Sequence, residues 1–137
     1  MIDPVQGEKQ ARTLLKEMLA QKPDENSIKS GVLKIRDGKG DEREVPVRIE
    51  VRASATNWLS IYEATPSNAA DAMRLTVIHP DQRPNEYRVV QSAQTSATNS
   101  TQGNLPPSDL MAPFAGSDFW IVDLGLEFLH WPRHRLL

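Results

Sequence analysis

The sequence predicts an α+β domain. An N-terminal amphipathic helix packs on an antiparallel β-meander that forms an open half-barrel, and a short apolar C-terminal helix follows. Three observations predict it. Residues 3–21 place apolar side chains at helical spacing, residues 28–91 switch to period two between short turns, and residues 114–132 gather most of the large aromatic side chains. At 137 residues the chain suits a single domain, 1–137. A domain of that size can bury about two-thirds of its unfolded surface.

The helix has Asp3 as a candidate N-cap and Pro4 at its first position. Ala11, Leu14, Leu15, Met18 and Leu19 form one apolar stripe, with Glu8, Lys9, Arg12, Lys16 and Glu17 opposite. The segment from Lys22 to Asn26 ends it. A first strand spans residues 28–36, and Asp37-Gly38-Lys39-Gly40 is a hairpin turn.

Residues 44–53 are the clearest strand. Val45, Val47, Ile49 and Val51 point one way, and Glu44, Pro46, Arg48, Glu50 and Arg52 the other. One dry and one wet face are expected of an antiparallel sheet. Pro46 cannot donate to a ladder, so it predicts an edge position or a bulge. Further strands span 58–63, 72–79 and 86–91, with His79 read as part of the turn that follows at Pro80. Successive strands joined by short turns pair with their neighbours.

Residues 92–110 turn to Ser, Thr, Asn, Gln, Ala and Pro, the composition of a mobile loop. Asn99-Ser100-Thr101 inside it fits a glycosylation acceptor, a match expected by chance in such a stretch. An extended piece at 113–115 and a helix over 118–131 follow, capped by Ser117 or Asp118 and ended by Pro132.

Charge is nearly balanced, 16 basic against 18 acidic side chains, and no basic block would draw nucleic acid. There is no cysteine, which excludes disulfides and thiolate zinc sites. No run reaches the ~18 consecutive apolar residues of a transmembrane helix. The first residues lack the pattern of a signal peptide.

Catalytic and metal-binding candidates are few. Glu127 and His130 have the spacing of a carboxylate and an imidazole on one helix face, with Asp123 and His134 a turn away on either side. That is one copy of a pattern that needs several converging ligands, so the residues read as a solvated polar stripe on an otherwise apolar helix. Gly116-Ser117-Asp118 lacks the second glycine of a nucleophile elbow. The predicted protein is therefore not an enzyme and has no metal or cofactor. Phe114, Phe119, Trp120, Phe128 and Trp131 fit either an acyl-chain cavity or ordinary core packing.

Phe114-Ala115-Gly116-Ser117-Asp118-Phe119, followed by Val122-Asp123-Leu124, resembles the Gly-Ser-Asp-Phe signature of bacterial outer-membrane lipoprotein-sorting-like proteins. These belong to the periplasmic lipoprotein-carrier (LolA/LolB-like) superfamily. The order of helix and meander fits as well. The resemblance covers the N-terminal half of that fold, since relatives continue with strands that complete the barrel. It implies a periplasmic carrier that shelters lipoprotein acyl chains or another lipid. On this reading Val45, Val47, Ile49, Val51, Trp58, Leu75 and Val77 of the strands line an apolar groove. Phe119, Trp120, Leu124 and Phe128 of the terminal helix complete it. The alternative is a ligand-free interaction module whose apolar face is covered by a homodimer or by a C-terminal half.

Overall fold

Alternating apolar and polar side chains place every second residue of the meander on one face, and that face decides the architecture. The computed structural model describes residues 3–68, 72–91 and 107–136. One helix, α1 (Pro4–Ala20), precedes β1 (Ser27–Arg36), β2 (Glu42–Ala53), β3 (Asn57–Ala64), β4 (Met73–Pro80) and β5 (Glu86–Gln91). The strands form one open antiparallel sheet in the order β1-β2-β3-β4-β5. The expected α+β class and meander are therefore present. Among the described residues no helix is long and apolar enough to cross a membrane.

The first hairpin closes through Asp37. Its Oδ1 accepts the amide hydrogens of Lys39 (2.8 Å) and Asp41 (3.0 Å), while Gly40 takes φ +88°. A short acidic side chain and a glycine supply both needs of the turn. Pro46 sits in an interior strand, yet its missing N–H costs little. It pairs with Val32 on β1, and β3 begins its pairing with β2 only at Val47. The Pro46 carbonyl takes the Thr65 amide at 3.0 Å, so its β3 side is a local edge.

Register lines up Ile49, Tyr62, Leu75 and Val89 across four strands, and Val51, Ser60, Val77 and Tyr87 beside them. This face is covered by the C-terminal segment. Leu110, Phe114, Ile121 and Val122 form one buried cluster with Val45, Leu75, Val77 and Tyr87. Each fully buried aliphatic side chain stabilises by about 1.5–3 kcal/mol. Polar ties add direction. Arg43 donates to the Ala115 carbonyl (3.1 Å), Tyr62 to that of Leu124 (3.1 Å) and Asn85 to that of Gly125 (2.6 Å).

The opposite face carries a ladder of ion pairs. Arg52 meets Glu50 at 2.7 Å, and Arg48 reaches both Glu50 (3.6 Å) and Glu63 (3.8 Å). Arg74 also reaches Glu63. The Arg52 hydrogen bond holds the Glu50 carboxyl below its ordinary value of 4.5.

Several expectations need correction. The helix predicted over 118–131 is reduced to α2 (Ile121–Leu124) and a 3₁₀ turn (Glu127–His130). A continuing α-helix needs the Leu124 and Gly125 carbonyls for its own amides four residues on. Tyr62 of β3 and Asn85 of the β4–β5 turn take those carbonyls instead, and Leu126 turns to φ +52°. Neither Ser117 nor Asp118 caps the helix, because α2 starts at Ile121 with Trp120 as its cap residue. Ser117 Oγ donates to the Phe114 carbonyl (2.6 Å) and accepts from the Phe119 amide (3.1 Å), holding a tight turn. That turn has Ala115 and Gly116 at positive φ.

Asp3 occupies the N-cap position of α1, but no side-chain cap bond forms. His79 belongs to β4 and not to a turn. The predicted mobile loop ends early, since Pro107–Met111 is a 3₁₀ turn whose Leu110 is buried. Residues 92–106 of that loop, with Asn99, lie outside the described residues.

α1 packs broadly on none of the strands. It is held at its rim: the Leu136 amide donates to the Gly7 carbonyl (3.3 Å), Arg133 faces Glu8 (3.8 Å) and Lys22 pairs with Asp81 (3.2 Å). Only Gly7 and Ala11 of the helix are buried, while Leu14, Met18 and Leu19 stay exposed.

Candidate functional site

Because α1 stands off from the sheet, a cavity of about 930 Å³ opens between it, the C-terminal segment and the β3–β4 strand ends. That is the size of a small-molecule site. Its apolar wall is made by Leu15, Leu19, Trp58, Leu126, Leu129 and Trp131. Leu15 and Leu19 lie one helical turn apart, so the half of the apolar stripe that does not dock becomes the roof.

The back wall is a polar network anchored on His79. Register places Trp58 directly opposite His79, and the two rings stack with centroids 3.6 Å apart and planes within 12°. Asn85 donates to the Gly125 carbonyl and, at 3.5 Å, to the Tyr87 hydroxyl, which leaves its Oδ1 facing His79 Nδ1 at 3.0 Å. An amide oxygen only accepts, so Nδ1 carries the imidazole proton and Nε2 is bare. Nε2 then accepts from Ser60 Oγ at 3.1 Å. Tyr87 in turn donates to Glu127 at 2.7 Å.

Burial pushes His79 down from 6.5 to about 4; the Asn85 bond opposes this and the nearby His130 charge adds to it. The ring is neutral at neutral pH. Burial likewise raises the Tyr62 and Tyr87 hydroxyls, so both stay protonated donors.

Ser60, His79 and Asn85 have the connectivity of a nucleophile, base and orienting group. The surroundings do not complete that chemistry. Ser60 is 4 % exposed, stands mid-strand between Val51 and Val77, and does not border the cavity. A reacting carbonyl would need to reach the hydroxyl and a pair of free donors. The network instead ties the C-terminal segment to the sheet and stiffens one wall of the cavity.

The groove expected on the sheet is filled by the chain itself. Val45, Leu75 and Val77 are buried beneath the C-terminal segment, Val47 and Leu124 pack against that cluster, and Ile49 and Val51 are half-buried on the same face. Phe119 and Trp120 lie on the segment's outer side, 53 % and 39 % exposed. The Phe128 side chain lies outside what the structure describes. Of the described members of that set, Trp58 alone lines the cavity.

Among the described residues no three His, Cys, Asp or Glu side chains converge as a metal site, and Glu127 is engaged by Tyr87. Sequence reasoning gave no site role to His79, Asn85, Leu15 or Leu19, whereas Trp131 was among the aromatics considered for an acyl-chain cavity. Counting the meander's register outward from β3 would have paired Trp58 with His79.

No family model, curated protein or solved structure matches this chain.

Proposed function

We propose that this chain is a non-catalytic binding module for acyl-chain amphiphiles, a carrier of the lipoprotein-carrier kind working in the periplasm. One observation carries the reading: a 930 Å³ cavity roofed by the undocked apolar stripe of α1 and floored by Trp58, Leu126 and Trp131. Apolar burial would drive binding at about 0.8 kcal/mol per methylene removed from water. The order of one helix and an antiparallel meander, followed by the Gly116-Ser117-Asp118-Phe119 turn, supports the family resemblance and its half-barrel.

The test is titration of delipidated protein with a fluorescent fatty-acyl probe. Saturable binding is expected, weakened about tenfold or more by Leu19→Glu, which puts a charge on the cavity roof. Leu19 is exposed, so folding should survive the change. Absence of saturable binding in the unmodified chain would refute the carrier reading.

A second reading, a self-associating interaction module, is favoured by the exposed Met111, Phe119 and Trp120 on the outer side of the C-terminal segment. It expects a dimer in sedimentation that Trp120→Ser dissociates. A monomer at all concentrations would eliminate it.

A further inference from the structure

We infer that the amphiphile this cavity takes has an anionic head, a carboxylate or phosphate at the end of an alkyl chain, held by Arg12, Lys16 and Arg83. The inference rests on the binding reading above and adds the chemistry of the head group.

Charge around the cavity departs from that of the whole chain. The protein carries a net charge of -2. The cavity is nevertheless bordered by five basic side chains, Arg12, Lys16, Lys22, Arg83 and Arg133, against two carboxylates, Glu8 and Asp81. Both carboxylates are already engaged, Glu8 by Arg133 at 3.8 Å and Asp81 by Lys22 at 3.2 Å. Arg12, Lys16 and Arg83 therefore have no ion-pair partner among the described residues.

Their placement is specific. Arg12 and Lys16 are four apart on α1 and so are neighbours on one face, an arrangement that like charges disfavour. Arg12 and Lys16, expected opposite the apolar stripe, instead border the same cavity as Leu15 and Leu19, because residues three and four apart share a helix face. Arg83 stands on the β4–β5 turn, which the Lys22–Asp81 pair draws to the end of α1. Cationic and apolar surfaces thus border one cavity, which is the complement of an anion on an alkyl tail. Charge-assisted hydrogen bonds to a carboxylate or phosphate are roughly twice as strong as those between neutral groups. The anion would also relieve the repulsion between Arg12 and Lys16.

The experiment compares dodecanoate, dodecyl phosphate and dodecanol, ligands of equal tail length, by displacement of a fluorescent acyl probe from the full chain. Inorganic phosphate is the tail-less control. Both anionic amphiphiles should bind at least about tenfold more tightly than dodecanol at low salt, and added salt should shrink the gap. Arg12→Gln combined with Arg83→Gln should bring the three ligands within about twofold of each other and leave dodecanol unchanged. Both arginines are exposed, and circular dichroism checks that the variant folds.

Equal affinity for dodecanoate and dodecanol in the unmodified chain overturns the anionic head while leaving the binding reading intact. Failure of all three amphiphiles overturns the binding reading itself. Inorganic phosphate competing as well as dodecyl phosphate overturns the amphiphile, because the tail would then add nothing. A preference between dodecanoate and dodecyl phosphate of more than about tenfold identifies which head the site takes and supports the inference.

Discussion

The two sides of the C-terminal segment use the same kind of residue for different ends. Its inner side buries Leu110, Phe114, Ile121 and Val122 against the sheet, and Arg43 and Tyr62 of the sheet and Asn85 of the β4–β5 turn seize its backbone at Ala115, Leu124 and Gly125. Its outer side leaves Leu126 and Trp131 about half exposed beside a helix that touches it only at the rim. Apolar area on the inner side holds the fold. On the outer side it stays accessible among the described residues. Hydrophobicity alone does not separate the two uses; the density of backbone ties does.

The sharpest way to break this comparison is to truncate one residue on each side. Ile121→Ala leaves a hole in a site that is 2 % exposed and should cost about 2–5 kcal/mol. Leu19→Ala, on the cavity roof and already 42 % exposed, should change stability by no more than about 0.5 kcal/mol. Urea midpoints with unchanged slopes read both values. Equal losses would mean that α1 is part of the core and that the cavity is closed in solution.

A smaller effect is expected at the join between the segment and the sheet. Gly125 has an ordinary φ of −87°, so its need for glycine is not conformational. A Cβ there would run into the hydroxyl and ring of Tyr87. Gly125→Ala should therefore cost about 1–3 kcal/mol through displacement of a buried aromatic ring. Gly38→Ala, where a Cβ meets nothing, should stay within about 0.5 kcal/mol. If thermal melts showed the two alike, the close approach of Tyr87 would not be what requires glycine at position 125.

The strands were legible because their signal is local. Val45 to Val51 alternate cleanly, and Asp37 with Gly40 marks the first turn, so little tertiary information was needed. The C-terminal helix was misread for the opposite reason. Its apolar spacing is helical, but Tyr62 and Asn85, both far away in sequence, remove the carbonyls that would have extended it. The groove was misplaced by the same gap: Val45, Leu75 and Val77 were correctly read as one apolar face, yet nothing in their spacing says what covers it. His79 escaped notice because a histidine before a proline looks like a turn residue until its cross-strand partner is known.

His79 also supplies the finest test, because its ring belongs to both regions, stacked on Trp58 at the cavity and bonded to Ser60 and Asn85 behind it. In the unfolded chain a histidine takes its proton near pH 6.5, whereas burial holds the folded ring neutral down to about 4. As pH falls through this window the unfolded state gains a proton that the folded state refuses. Stability is thus full above about pH 6.5, falls between there and pH 4, and levels off below.

Since the ring keeps some contact with solvent, the loss should be about 1–2 kcal/mol. Glu50, held low by Arg52, begins to lose its own contribution only below about pH 4.5, so the interval from 6.5 to 4.5 isolates the histidine. His79→Gln keeps one hydrogen-bonding amide in place of the ring and should flatten urea-derived stability across that interval. An unchanged slope in the variant would mean that the pH dependence does not arise from the network that binds the segment down.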